Sequence, residues 1–173
     1  VRRRLKLPER FVLQVGTIEP RKDVALVAEA CTELSIPFLL AGSGSTGPDA
    51  PRSARGLGYV ATEDLPALYS AATAVAYSSH YEGFGLPPLE AMACGAAVVA
   101  SAVGALTEFA DNAAVLVRKH DKASWLAALR SVVLDDDVNT ALRISAPRVA
   151  ARSTWTRTAE YTVDAYRTAG LSV

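Results

Sequence analysis

The sequence predicts an α/β domain: an open, doubly wound parallel sheet of about six strands with flanking helices. Short continuous apolar runs alternate with stretches of helical spacing along the 173 residues, which is the sequence form of repeated strand and helix units. The runs are apolar throughout rather than alternating, so they suit a sheet covered on both faces. Half the residues are hydrophobic and 21% are charged, an ordinary composition for one globular domain. A chain of this length buries about 70% of the surface exposed when unfolded, so it needs no metal or disulfide staple.

The predicted strands are Phe11 to Gly16, Pro37 to Ala41, Leu57 to Val60, Ala74 to Ser78, Ala97 to Ser101 and Ala114 to Val117. Between the first two, Val24, Val27, Ala28, Cys31 and Leu34 recur at three- and four-residue steps, giving an amphipathic helix with Asp23 placed as its cap. Further helices are predicted after Thr62 or Asp64 and near Pro87, whose missing N–H suits a first helical turn. Trp125, Leu129, Val132 and Val133 mark a helix after Asp121. Trp155, Ala159, Val163 and Tyr166 mark a last one after Ser153, expected to lie against the sheet, with both tryptophans in the core. Right-handed crossovers between parallel strands make the sheet doubly wound, and ligands of such sheets sit beyond the carboxyl ends of the strands.

Eighteen basic residues balance eighteen acidic ones, which removes any general electrostatic argument for nucleic acid or an anionic membrane. Cys31 and Cys94 lack the spacing of a zinc site or disulfide framework, and a reducing, cytoplasmic setting fits them. No apolar run approaches the roughly 20 residues that span a bilayer. Arg2, Arg3 and Arg4 precede no signal-like apolar stretch and read as a solvated linker remnant. A chain beginning at Val1 is expected to be a piece of something longer.

Three loops that follow strands are candidates for chemistry. Gly42-Ser43-Gly44-Ser45-Thr46-Gly47 fits GxGxxG, but the dinucleotide fingerprint needs a helix opening at the glycines. Pro48, Pro51 and Gly56 are expected to keep this chain irregular until Leu57, which favours a flexible surface loop. The loop from Gly16 and Thr17 to Arg21 and Lys22 places two adjacent cations just ahead of a helix N-terminus, where free N–H groups already favour an anion. Phosphate is the natural guest, Arg21 offering a planar fork and Lys22 a compact charge; solvated surface charge is the alternative.

The third loop runs Ser79-His80-Tyr81-Glu82-Gly83-Phe84-Gly85-Leu86-Pro87-Pro88-Leu89-Glu90. From Gly83 through Thr107 the only side chain charged at neutral pH is Glu90, and a carboxylate in so apolar a stretch needs a partner or a ligand. The N–H groups of Phe84, Gly85 and Leu86 can converge on an oxygen-rich ligand, and Glu82 and Glu90 can accept from different hydroxyls of one polyol. Two readings compete with this one: the acid and nucleophile of a glycosidase, and a merely structural Glu90 with a solvated Glu82.

Val15-Gly16-Thr17-Ile18-Glu19-Pro20-Arg21-Lys22 and Glu82 through Gly95 resemble the family-4 group of retaining glycosyltransferases, including their Glu-x7-Glu motif at Glu82 and Glu90. The resemblance extends through Leu57-Gly58-Tyr59-Val60, Leu65-Pro66-Ala67-Leu68-Tyr69 and Gly104-Ala105-Leu106-Thr107-Glu108, and so covers nearly the whole chain. It implies a Rossmann-like half of a two-domain GT-B enzyme, with residues 1–173 forming the donor-binding domain and the N-terminal acceptor domain lying outside the chain. It further implies that Arg21 and Lys22 clamp the diphosphate of a nucleotide-sugar. Glu82 would face the donor sugar with the amides of Phe84 and Gly85, while Glu90 holds the ribose hydroxyls. Gly16, Thr17, Gly83 and Leu86 complete that donor site. The implied reaction moves a hexosyl group, of GDP-mannose or UDP-glucose type, without a metal or other cofactor.

The acceptor, a sugar or lipid-linked glycan, would enter through the missing domain, which could also hold the enzyme peripherally at a membrane. The isolated chain is then expected to be inactive. A stand-alone nucleotide-sugar binding or regulatory module is the alternative.

Departures from the family pattern are Thr17, where many relatives carry Arg, and Ala96-Ala97, where Pro-Val is usual. Gly42 to Arg55 looks too short for the usual helix, and Asp111-Asn112 stands at a turn where glycine is typical. Glu108 reads either as a contact to the donor or as a helix-start carboxylate, His80 as a surface histidine, and His120 as a polar residue before a cap.

Overall fold

The computed structural model describes residues 1–110 and 112–171. The six strands are β1 (Val12–Val15), β2 (Phe38–Ala41), β3 (Ala54–Gly56), β4 (Ala74–Tyr77), β5 (Val98–Ser101) and β6 (Ala114–Val117). All pair in parallel in the order β3-β2-β1-β4-β5-β6. The chain builds outward from β1 to β3, then returns to the other side of β1 at β4. The connections leaving β1 and β4 therefore diverge, and this switch point opens a crevice above their carboxyl ends.

Helices cover both faces, as the apolar strands require. On one face α1 (Val24–Glu33) and α5 (Lys122–Leu134) bury Val27, Cys31, Trp125 and Leu129 against Val12, Leu40, Ala76 and Val99. On the other, α2 (Leu65–Ala71), α3 (Leu86–Ala93), α4 (Leu106–Phe109) and α6 (Asp136–Ala150) bury Tyr69, Met92, Leu106 and Ala146 against Leu13, Leu39, Val75 and Val98. Neighbouring strand residues thus enter opposite cores, following the two-residue period of a strand. Cys31 lies deep in the first layer, where burial pushes its thiol up to about 12.

Five strands match the sequence expectation to within a residue or two. The third does not: β3 occupies Ala54–Gly56 instead of Leu57 to Val60. Arg55 donates to the carbonyls of Leu5 and Lys6, which fixes this edge strand, and Gly58 turns the chain away at φ +70°. Pairing continues only through Leu57 N–H to Leu40 and Gly42 N–H to Gly58, both at 2.8 Å. No helix opens between Gly42 and Arg55. The glycine-rich loop there is packed rather than loose, with Ser45 buried and its Oγ accepting from Gly58 N–H at 3.0 Å.

Three further expectations are corrected. Asp23 adopts a left-handed conformation at the start of α1 and its side chain makes no capping bond. Helix α6 was not foreseen because it is polar along most of its length. Asp135 caps it, accepting from Asp137 and Val138 N–H, while Asn139 and Arg143 tie it to carbonyls of Thr73, Ala72 and Gly95. The last helix, α7 (Trp155–Thr168), buries no residue, since other helices already occupy both faces of the sheet. Asn112 takes φ +58° in the turn before β6, a conformation open to Asn as well as Gly; its neighbour Asp111 lies outside the described residues. Among the described residues no helix is long and apolar enough to cross a membrane.

Trp125 is fully buried, whereas Trp155 is 78% exposed. Replacing Trp125 by Ala is expected to cost about 3–5 kcal/mol. Trp155→Ala should cost no more than about 0.5 kcal/mol. Urea denaturation of the two variants beside the parent measures the contrast.

Candidate donor-binding site

The crevice above β1 and β4 is built from the loops that leave those strands. Beyond β1 the chain passes Gly16 and Thr17 into a short 3-10 turn, Pro20–Lys22, whose last residues are Arg21 and Lys22. Beyond β4 come Ser78 and Ser79, both buried, and then the loop carrying Glu82. Two hydrogen bonds stitch the loops together: Ser78 Oγ donates to the Lys22 carbonyl at 2.7 Å, and His80 N–H donates to the Arg21 carbonyl at 2.8 Å. The backbone under both cations is thereby held from the neighbouring strand.

Lys22 is only 7% exposed. Its Nζ sits over Gly16, where a Cβ would approach it to 2.6 Å; at φ +129° that position also disfavours any side chain. Among the described residues no carboxylate pairs with Lys22. Burial lowers its pKa, the neighbouring Arg21 charge lowers it further, and Glu19 and Glu82 act weakly against both.

Arg21 is differently placed. Its Nε donates to Glu19 at 2.7 Å, and its Nη1 to the Tyr81 carbonyl at 3.0 Å and to Glu82 Oε1 at 3.1 Å. Slight burial pulls its pKa down, but the Glu19 bond and the Glu82 charge outweigh this and leave it raised. Glu82 Oε1 also accepts from Ser79 Oγ at 2.7 Å.

The Glu82 loop is supported from β5. Gly104, at φ +52°, lies so close to the Glu82 carbonyl that a Cβ there would collide with it. Phe84 stacks on Phe109 of α4, ring centres 5.3 Å apart. The N–H groups of Phe84, Gly85 and Leu86 find no backbone acceptor among the described residues. They remain available at the start of α3, as the two prolines after them predicted.

Gly16, Arg21, Lys22 and Glu82 thus converge, with Thr17, Gly83 and Gly85 in the same loops. Glu90 is set apart. It lies one turn into α3, is exposed, and accepts from Tyr69 Oη at 3.1 Å, with Tyr77 Oη 3.4 Å beyond. Together with Phe84, Leu86, Leu89 and Trp155 it lines a cavity of about 460 Å3 between α3 and the start of α7. The tyrosine hydroxyl thus occupies Oε2 of this carboxylate, and Oε1 makes no hydrogen bond among the described residues. Glu108 falls in the first turn of α4, the helix-start position.

Sequence reasoning gave no role to Ser78, Ser79 or Tyr69, although Ser79 opens the candidate loop and Tyr69 closes one of the family motifs. Two serines closing the apolar β4 run were the available signal, because adjacent strand residues point to opposite faces and such a pair can serve two loops.

The profile of the family described as "Glycosyl transferases group 1" matches residues 2–149. The chain belongs to that family. It is 34% identical over 173 aligned residues to the O-antigen chain mannosyltransferase B of Escherichia coli, covering 91% of this chain and 45% of that protein. It is 38% identical over 192 aligned residues to the D-inositol 3-phosphate glycosyltransferase of Salinispora arenicola, covering 95% and 43%. The chain thus spans less than half the length of these two relatives. Among solved structures, the sucrose-phosphate synthase of Thermosynechococcus elongatus superposes with a TM-score of 0.82 at 28% identity, over 96% of this chain and 47% of that one. Anabaena HepE in complex with UDP-glucose superposes at 0.80 with 20% identity, over 97% and 51%, a likeness of fold. The Rossmann-like sheet with flanking helices is therefore that of GT-B glycosyltransferases.

A partly desolvated ammonium without a carboxylate is a liability for the stability of this group 1 domain. The unfolded chain holds its Lys22 proton more tightly than the folded one, so the penalty is largest below the lowered folded value. It fades as pH rises from the lowered folded value through the unfolded value of about 10.5. Lys22→Met, which keeps the apolar stem, is expected to raise the denaturation midpoint at pH 7 and to lose that advantage near pH 11. Thermal melts of parent and variant across this range test the sign.

Proposed function

We propose that this chain is the donor-binding domain of a family-4 retaining hexosyltransferase, using a nucleotide-diphosphate sugar of GDP-mannose or UDP-glucose type. The observation that carries the reading is Lys22: a cation on a largely buried side chain, partly desolvated, left without a carboxylate, and fixed beside Arg21 at the switch point of the sheet. Burying a charge costs several kcal/mol unless something compensates it. An anion entering the crevice supplies that compensation, and a diphosphate can span both cations. Solved relatives of this fold bind UDP and UDP-glucose, as in Anabaena HepE, which supports a nucleotide-sugar as the guest.

The chemistry assigned to the site is exchange at the anomeric carbon. The bond from that carbon to the diphosphate oxygen breaks, and the acceptor oxygen bonds to the carbon on the same face. The acceptor's proton passes to a donor phosphate oxygen. Lys22 and Arg21 stabilise the charge that develops on the departing diphosphate, Arg21 turning its fork from Glu19 and Glu82 toward phosphate. Glu82, bonded to Ser79, and the free amides of Phe84 and Gly85 face the sugar. Glu90 holds ribose hydroxyls from α3. No metal is assigned to this reaction, and the acceptor, a sugar or lipid-linked glycan, is assigned to a further domain.

Calorimetric titration of GDP, UDP and inorganic pyrophosphate into the chain tests the donor site. At least one nucleotide is expected to bind more tightly than pyrophosphate, and equal or weaker binding by both would sink the assignment. In the complete enzyme, Lys22→Ala is expected to lower the transfer rate by on the order of 10²–10³. Steady-state rates within tenfold of the parent would remove Lys22 from the chemistry.

A further inference from the structure

We infer a second binding site on this chain, for a divalent transition-metal ion of the zinc class, formed by Asp23, His80 and His120. The three residues come from separate segments: the start of α1, the loop after β4, and the loop between β6 and α5. All lie at the carboxyl edge of the sheet. Asp23 Oδ2 is 2.8 Å from His120 Nε2 and 3.7 Å from His80 Nε2. The imidazoles stack with centres 3.8 Å apart, and one ligand atom from each residue falls within 4.8 Å of the others. Among the described residues this is the one such group of three.

The chemistry of the set selects the ion. Imidazole nitrogen with one carboxylate suits zinc, cobalt, nickel and copper, whereas magnesium and calcium favour all-oxygen shells. Donors sharing a tetrahedral ion at about 2.0–2.1 Å stand roughly 3.3 Å apart, a value that the two observed separations bracket. Stacked rings aim their in-plane lone pairs side by side, so binding requires one exposed imidazole to rotate out of the stack and turn its nitrogen toward the other two donors.

The scaffold beneath is fixed independently of any ion. Ser78 Oγ holds the Asp23 carbonyl at 2.9 Å, and His80 N–H is bonded to the Arg21 carbonyl. Asp23 itself is held left-handed at φ 37°, its carboxylate on His120 instead of on the helix it precedes. Three protein donors leave at least one coordination position open. An ion there would join the loops after β1, β4 and β6.

This site does not rest on the donor reading, and its test uses no nucleotide. Cobalt(II) is titrated into the chain and followed by its visible absorption, and zinc binding is measured by calorimetry and by thermal stability. The expected result is one equivalent of either ion, with His120→Ala and Asp23→Asn each binding at least tenfold more weakly. A hundredfold excess of magnesium should not compete. Saturating zinc should raise the melting temperature of the parent and not of His120→Ala. The inference is overturned if zinc fails to bind below millimolar concentration, or if folded His120→Ala and Asp23→Asn bind as the parent does. A sulfur charge-transfer band, placing the ion on a cysteine, would overturn it equally.

Discussion

Everything distinctive about the crevice depends on where one ammonium group has been put. Lys22 ends the 3-10 turn after β1, and its ammonium lies over the bare backbone of Gly16 at the tip of a largely buried side chain. Desolvating a cation without pairing it costs free energy. The arrangement persists because its surroundings are over-determined. The Ser78 hydroxyl grips the Lys22 carbonyl, the packed loop after β2 meets the chain at the Ile18 to Ser43 hydrogen bond, and glycine at position 16 leaves room overhead.

Arg21 and Lys22 are adjacent in sequence yet divide the work. Arg21 is 41% exposed on its side chain and already satisfied by Glu19, Glu82 and a carbonyl. Those bonds hold the Glu82 loop at a defined distance from the first loop, with Gly104 pressing from β5. Its fork can exchange carboxylate for phosphate without a change of charge state. Lys22 has nothing to exchange, so it alone gains fully from an arriving anion. A satisfied cation and an unpaired one thus lie side by side on a three-residue turn.

The fold was largely legible because parallel strands buried on both faces have little freedom of composition. Five of six strands fell where the apolar runs placed them, and Asp121 capped α5 with its side chain on Ser124 N–H. The failures share one cause. Leu57 to Val60 is apolar but follows an edge strand whose position is set by a long-range contact from Arg55 to the N-terminal segment. Helix α6 is anchored by Asn139 and Arg143 reaching distant carbonyls, which no periodicity reveals. Trp155 sits on a good helical stripe, but the sheet has no free face left for it. At the site, residue types and loop positions announced Arg21, Lys22 and Glu82. The bonds from Ser78 and Ser79, and the tyrosine that holds Glu90, depend on neighbours contributed by the fold.

Asp23 shows why local rules fail where function concentrates. An aspartate one residue before an apolar helical stripe should cap the helix, a bond whose loss typically costs about 1 kcal/mol. Here the backbone turns left-handed and the carboxylate faces two imidazoles instead. The Ser78 hydroxyl shares its one proton between the carbonyls of Lys22 and Asp23, so the turn that leaves Asp23 left-handed also carries the backbone held under Lys22. The forgone cap and the buried cation are two results of one backbone geometry. A conventional N-cap at Asp23 would need extended backbone there, which would draw the Lys22 carbonyl away from Ser78 and loosen the turn that aims the ammonium into the crevice.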